Sequence, residues 1–248
     1  MEKGYKKGVV KWNIQIASNI YEMKMTPHST RPFQGEPGQF YMLRGWKGLD
    51  PFLARPISVS NIIDGEITFL YEVRGRGTDI ISKLKSGDTL ELMGPLGNGF
   101  NTSLKGNIAL ISGGIGIAPV IFLAKSLKTD VDFYCGFRDE VYCIDEIKKY
   151  SRNVYISTEN GIVGHEGLIT EIFQPDGYEV VYSCGPVAMM KKVVEICEGK
   201  VPVYISMESR MACGMGACLG CSIKTSKGIQ RVCKEGPVFL GEEVFFSD

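Results

Sequence analysis

Two rhythms of apolar and polar residues divide the chain. Up to about residue 100 the two kinds alternate in short runs, VVKWNIQIA, GQFYML, GEITFLYEV and GDTLELMG, broken by Gly, Pro and Asp. A period of two sends successive side chains to opposite faces, so these runs predict antiparallel strands of a β-barrel or sandwich. One short helical stretch, roughly residues 79–85, interrupts them.

From Asn107 the rhythm changes to apolar runs followed by helical ones: NIALIS then APVIFLAKSL, DVDFYCGF then the Asp145 region, NVYISTE then GLITEIF, YEVVYSC then PVAMMKKVVEI. Repeated β and α units of this length predict a parallel sheet with helices on its faces. A last strand, VPVYISM, leads into a cysteine-rich tail. The fold class is therefore multidomain β plus α/β. Residues 1–100 form an antiparallel barrel, 101–202 a Rossmann-like α/β domain, and 203–248 a small C-terminal domain. No internal repeat or low-complexity linker separates them.

A length of 248 residues accommodates two domains and a small appendage. Hydrophobic residues at 44% and charged residues at 23% are ordinary globular values, so a disordered chain is excluded. Twenty-eight basic residues against twenty-eight acidic ones leave no net field to collect nucleic acid or anionic lipid. The N-terminal MEKGYKKGVVKWNIQIAS has no apolar core of a signal peptide, which predicts a cytoplasmic protein without a disulfide framework. Residues 107–124 carry no charge over the length of a membrane span. Their central glycines and proline instead predict a buried strand, a tight turn and the start of a helix, with a membrane-tethered subunit as the alternative.

Cys213, Cys218, Cys221 and Cys233 give the spacing C-x4-C-x2-C-x11-C within MACGMGACLGC and the segment after it. The first three match the plant-type [2Fe–2S] pattern, followed by a distant fourth ligand. Crowded thiolates can surround a cluster without closing a long loop, and the interleaved glycines let backbone amides approach the sulfurs. Structural zinc more often uses two C-x2-C pairs or histidine, and the only histidines are His28 and His165, outside this tail. A non-enzymatic protein stapled by zinc stays open as an alternative. Cys135, Cys143, Cys184 and Cys197 read as small hydrophobes.

After the strand NIALIS comes GGIGIAP, residues 113–119, then a helix. A glycine turn at a helix N-terminus suits a pyrophosphate, with Gly113, Gly114 and Gly116 as the candidate contacts. The G-x-G-x-x-G pattern is met only in part, because Pro119 stands at the third glycine. Three further stretches make the signal specific. Arg55-Pro56-Ile57-Ser58 resembles the R-x-x-S flavin motif of the ferredoxin–NADP reductase superfamily. Gly75-Arg76-Gly77-Thr78 resembles its second phosphate-contacting turn, and Cys184-Gly185-Pro186 its C-G-P at the nicotinamide. With MESRMACGMGACLGC added, the whole chain resembles the electron-transfer subunits of type B dihydroorotate dehydrogenases.

That resemblance implies FAD on the barrel, NAD(H) on the α/β domain and a [2Fe–2S] cluster in the tail. Arg55 would pair with the flavin pyrophosphate, the Ser58 hydroxyl would bond the flavin ring, and Gly77 with Thr78 would hold the far side of the phosphates. Ile57 stands where many members stack a tyrosine. Leu70, Tyr71 and Glu72 occupy the adenine- and flavin-side strand, with Glu72 where arginine is common. Cys184 would lie near the nicotinamide. Asp139 and Glu140, after the second strand of the α/β domain, would favour NAD over NADP, with Arg138 beside them arguing the reverse.

The family's electrons run from dihydroorotate through FMN on a catalytic subunit, then through the cluster and FAD to NAD+, in pyrimidine biosynthesis. No protein acid or base is required, so no catalytic residue is assigned. A heterotetramer of two subunits of each kind is implied. Met211, Met215 and Leu219 around the cluster form the candidate docking surface. The rival that keeps these cofactors is a flavin and iron–sulfur subunit of a sulfhydrogenase or a ferredoxin-dependent transhydrogenase.

Overall fold

The computed structural model describes residues 5–129 and 131–246. The first four residues of the N-terminal reading and Asp130, at the head of DVDFYCGF, lie outside that range. So do the last two residues of the tail.

The alternating runs fold into a closed six-stranded barrel of order β1-β2-β5-β4-β3-β6. Its strands are β1 (Tyr5–Ala17), β2 (Ile20–Pro27), β3 (Phe40–Arg44), β4 (Arg55–Ile63), β5 (Glu66–Glu72) and β6 (Thr89–Leu96). The inward positions Met23, Met25, Tyr41, Leu43, Val59, Ile67, Phe69 and Leu92 are fully buried together. Asp64 and Gly65 both take positive φ between β4 and β5, the conformation a two-residue hairpin needs to match strand twist.

The predicted helix between β5 and β6 is α1 (Arg76–Ser82), three residues earlier than its pattern suggests. Thr78 starts it: its Oγ1 accepts from the Gly75 amide at 3.2 Å and the Arg74 amide at 3.0 Å, and donates to the Gly75 carbonyl at 2.9 Å. Three of the four residues in the expected phosphate turn, Arg76, Gly77 and Thr78, are thus helical, and Gly75 caps the helix.

The βα units build a seven-stranded sheet of order β10-β9-β8-β7-β11-β12-β15. In chain order these elements are β7 (Ile108–Gly113), a single 3-10 turn (Gly114–Gly116), α2 (Ile117–Ser126), β8 (Val131–Phe137), α3 (Ile144–Lys148), β9 (Asn153–Thr158), β10 (His165–Glu166), α4 (Ile169–Ile172), β11 (Val180–Cys184), α5 (Val187–Cys197) and β12 (Val203–Ser206). All neighbours pair parallel except the last: β15 (Val238–Leu240) runs antiparallel to β12. Between β12 and β15 lies the hairpin β13 (Ser222–Thr225) and β14 (Gly228–Arg231), and α6 (Gly241–Val244) follows. The sheet therefore extends past residue 203. The tail leaves it after β12 and returns through β15.

The apolar stretch 107–124 is divided between β7 and the first part of α2. α2 is buried from Ile117 to Ala124, because the sheet covers one side and barrel strands β4 and β5 the other. A helix apolar all round is what such a sandwiched position requires. Among the described residues, no helix is long and apolar enough to cross a membrane.

Candidate functional site

A cavity of about 790 Å³ opens between three walls. The barrel contributes Arg55, Pro56, Ile57 and Ser58 from β4, Leu70, Tyr71 and Glu72 from β5, and Thr78 from α1. Ile115 and Ala118, at the start of α2, form the second wall, and residues 206–211, which leave the C-terminal end of β12, form the third. Eight of the sequence-predicted residues thus meet around one space of a size typical for cofactors.

Arg55 lies over the Trp46 ring at 5.5 Å and donates to the Leu53 carbonyl. A Cβ on Gly77 would stand 2.5 Å from Arg55 Nε, so the glycine is what allows the guanidinium to lie across the start of α1. The Thr78 hydroxyl is not free for a ligand, since all its bonding capacity goes to residues 74 and 75. First-turn amides of a helix lack intrahelical acceptors, so α1 offers backbone donors instead. The Tyr71 ring turns into the barrel, where its hydroxyl donates to Asn13 Oδ1 at 2.9 Å and burial raises its pKa. Glu72 accepts from Arg74 Nε at 2.6 Å, so the cation that the strand lacks at residue 72 arrives two residues later.

Several wall residues escaped the sequence reading: Arg74, Ser206, Glu208, Ser209 and Arg210. Desolvation in the cavity wall raises the Glu208 carboxyl, Arg74 opposes the shift and Glu72 adds to it. A signal was available, because loops at the carboxyl ends of parallel strands near a topological switch carry ligands. Residues 207–210 are such a loop.

Gly113, Gly114, Gly116 and Cys184 gather at that switch, where β7 adjoins β8 on one side and β11 on the other. A Cβ on Gly116 would sit 2.3 Å from the Cys184 carbonyl oxygen, and one on Gly113 2.6 Å from Pro186 Cδ. These glycines let the two turns close on each other. Gly114 has φ +52 and nothing near its Cβ position, so its backbone faces open space. The Cys184 thiol is buried, which raises its pKa, and is bonded to Ser206. Its side chain therefore packs beneath the crevice and does not line it. Glu140 accepts the Ser18 amide of the β1–β2 turn at 2.7 Å, which ties it to the barrel. Asp139 accepts from Asn160 Nδ2 at 3.5 Å.

The four tail cysteines associate in two pairs. All four are free thiols, with Cys213 in hydrogen-bonding reach of Cys218 and Cys221 in reach of Cys233. Backbone amides point at the sulfurs: Ala217 and Cys218 at Cys213 Sγ (3.3 and 3.4 Å), Gly220 at Cys218 Sγ (3.5 Å), and Cys233 at Cys221 Sγ (3.4 Å). Although burial raises the Cys213 thiol, backbone bonds from Met215, Cys218 and Ala217, together with the Cys218 side chain, outweigh it and bring the thiol down to about 6. Burial and Cys221 push Cys233 up to about 12.

Among the described residues, no three His, Cys, Asp or Glu side chains converge on one metal position. A tetrahedral zinc ion needs four, whereas a binuclear cluster takes two thiolates per iron, so the pairing fits iron and sulfide. Cys221 and Cys233 are buried, while Cys218 is exposed. Met215 and Leu219 beside it are 55% and 61% exposed, but Met211 is 9% exposed. Met211 belongs to the cavity wall and not to the outer surface, because residues 207–211 run along the cavity before the chain turns out at Cys213.

Residues 208–245 match the family described as the iron-sulfur cluster binding domain of dihydroorotate dehydrogenase B. Over its full length the chain is 49% identical to the dihydroorotate dehydrogenase B (NAD(+)) electron transfer subunit of Clostridium acetobutylicum, with 100% of both chains covered. It is 49% identical to the protein of the same description from Clostridium perfringens, covering 99% of this chain and 100% of the relative. Among solved structures it is similar to a chain of NADH-dependent reduced ferredoxin-NADP oxidoreductase, described for flavin-based electron bifurcation. The TM-score is 0.86 at 28% identity, over 96% of this chain and 89% of that one. The ferredoxin reductase of carbazole 1,9a-dioxygenase shares the fold, with TM-score 0.69 at 22% identity over 83% and 69% of the two chains.

Proposed function

The chain belongs to the family of electron-transfer subunits of NAD-dependent dihydroorotate dehydrogenase B, and from that membership we propose how its residues divide the work. It is an oxidoreductase subunit with flavin and iron–sulfur sites that passes electrons from a catalytic partner subunit to NAD+, in pyrimidine biosynthesis. When bound, FAD supplies both the two-electron exchange that NAD requires and the one-electron exchange that a [2Fe–2S] cluster requires.

Arg55 presents a planar fork to the FAD pyrophosphate, and the Gly77 and Thr78 amides at the start of α1 face it from the other side. Pro56, Ile57 and Ser58 form the flavin-ring wall, with the Ser58 hydroxyl as a hydrogen-bonding group. Leu70, Tyr71 and Glu72 close the barrel side. Gly113, Gly114 and Gly116 receive NAD(H) in the switch-point crevice, whose floor Cys184 shapes, and Asp139 favours a ribose without a phosphate. Cys213, Cys218, Cys221 and Cys233 hold the cluster.

One observation carries this reading. Residues 206–211 wall the cavity, and Cys213 follows two residues after Met211. Two residues span at most about 7 Å, so a group in the cavity and a group on the cysteines are near neighbours. The exposed Cys218, with Met215 and Leu219 around it, is then the port toward an FMN-bearing catalytic subunit, in an assembly of two subunits of each kind in the cytoplasm. The sulfhydrogenase or transhydrogenase alternative is disfavoured by the 49% full-length identity to the dihydroorotate dehydrogenase subunit, against 28% to the oxidoreductase chain.

The test is an anaerobic visible spectrum of the purified chain with and without NADH, alongside iron, sulfide and zinc analysis. Flavin and [2Fe–2S] absorption that both bleach with NADH is the expected result. A colourless, zinc-containing protein would overturn it.

A further inference from the structure

Arg231, the last residue of β14, makes contacts that the ligand set by itself does not explain. Its Nε donates to Glu235 Oε2 at 2.9 Å and its Nη2 to Glu235 Oε1, a two-point pairing. Glu235 Oε2 also accepts the Arg231 backbone amide at 2.7 Å. The remaining arm, Nη1, donates to the Gly216 carbonyl at 2.8 Å, fifteen residues earlier in the cysteine loop. The pair is shielded, with side chains 25% and 30% exposed.

The Gly216 carbonyl belongs to the same planar peptide as the Ala217 N–H, which points at Cys213 Sγ at 3.3 Å. In a trans peptide the two groups lie in one plane and point in opposite directions, so a cation on the oxygen both orients the N–H and polarises it toward the sulfur. The preceding peptide places the Gly216 N–H on Cys233. The two peptides on either side of Gly216 thus bond a sulfur of each cysteine pair, and Arg231 holds the residue they share in place. The charge of Arg231 is also felt directly at Cys221 and Cys233.

We propose that Arg231, keyed by Glu235, is a positioning residue that sets the reduction potential of the iron–sulfur centre through the Gly216–Ala217 peptide. The proposal rests on the four-cysteine ligand set given above. Reduction adds one electron to the centre and no proton to the guanidinium, which stays charged. Hydrogen bonds and positive charge at the sulfurs favour the more negative, reduced form. Removing Arg231 therefore shifts the potential down, and neutralising Glu235, which leaves the cation uncompensated, shifts it up.

The experiment is a mediated reductive titration followed by electron paramagnetic resonance, on the full chain in complex with its catalytic partner. Wild type, Arg231→Met, Arg231→Lys and Glu235→Gln are compared, with spectra normalised to iron and sulfide content. Arg231→Met is expected to move the midpoint negative by about a tenfold change in the equilibrium, about 59 mV for a one-electron couple. Lysine, which keeps the charge without the fork, falls between, and Glu235→Gln moves it positive. If Arg231→Met does not retain the cluster, the opposite signs of Arg231→Lys and Glu235→Gln decide. Unchanged midpoints in cluster-bearing variants, or shifts of one sign in both, would overturn the proposal. A wild type without a cluster signal would instead sink the ligand assignment.

Discussion

Between Arg55 and Gly77 there is no room for a side chain: a Cβ on Gly77 would lie 2.5 Å from Arg55 Nε. Two positions that the sequence treats as separate motifs are therefore one feature. Charge-assisted hydrogen bonds contribute about 1.5–3 kcal/mol, so Arg55→Ala should weaken FAD retention roughly tenfold to a hundredfold. Gly77→Ala should weaken it in the same direction by displacing the guanidinium, while thermal unfolding of the flavin-free chain changes little. Release of flavin fluorescence on dilution measures both. The Arg55 to Ser58 run was legible because the cavity draws on consecutive residues of one strand. Arg74 and Glu208 were not: their side chains approach to 3.9 Å across a separation in sequence that no local pattern bridges.

At the scale of elements, Asp132 at the start of β8 fastens three strand beginnings together. It accepts from Arg152 at 2.8 Å and Asn153 at 2.9 Å, both at the head of β9, and from Tyr178 at 2.8 Å, just before β11. Burial by itself would raise the Asp132 carboxyl, but these bonds overcome it and hold the group below its ordinary value of 3.8. A folded-state value below the unfolded one stabilises the fold at higher pH, and the benefit is lost as pH falls below about 4 through the folded value. Asp132→Asn should cost about 1–3 kcal/mol near pH 7 by urea unfolding, with a shallower loss of stability in acid than wild type. Arg152 is partly exposed, which keeps the figure below that of a fully buried pair. NADH-dependent bleaching per folded molecule should not change, because Asp132 lies at the amino end of its strand, whereas the glycine crevice lies at the carboxyl ends of the strands. A lost NADH response with unaltered stability would count against this division.

For the whole molecule, the relevant asymmetry is that the buried pair Cys221 and Cys233 faces inward while Cys218 faces out. The apolar side chains Met215 and Leu219, more than half exposed, surround the outward face. Burying two such side chains contributes roughly 1.5–3 kcal/mol each, so Met215→Lys combined with Leu219→Lys should weaken association with the catalytic subunit at least tenfold. Sedimentation of the mixed subunits reads the effect, and the isolated variant should keep its visible spectrum. Unaltered association would place the docking surface elsewhere. Met211, which has the same chemistry and sits in the same motif, fails as a docking residue because the chain runs along the cavity there.

What the sequence determined by itself follows from local physics. A period of two produced barrel strands, β and α alternation produced a parallel sheet, and the C-x4-C-x2-C spacing brought thiols within reach of one loop. Consecutive motifs such as 55–58 and 113–116 were legible for the same reason. Tertiary structure decided whatever depends on which segments meet. It moved the start of α1 to the Thr78 hydroxyl and drew β12 and β15 into the sheet. It buried the Cys184 thiol and set Glu140 against the barrel. It also paired the cysteines two and two and placed Arg231 on the Gly216 carbonyl. Such contacts join residues far apart along the chain, and their geometry exists only once the barrel, the sheet and the tail are packed together.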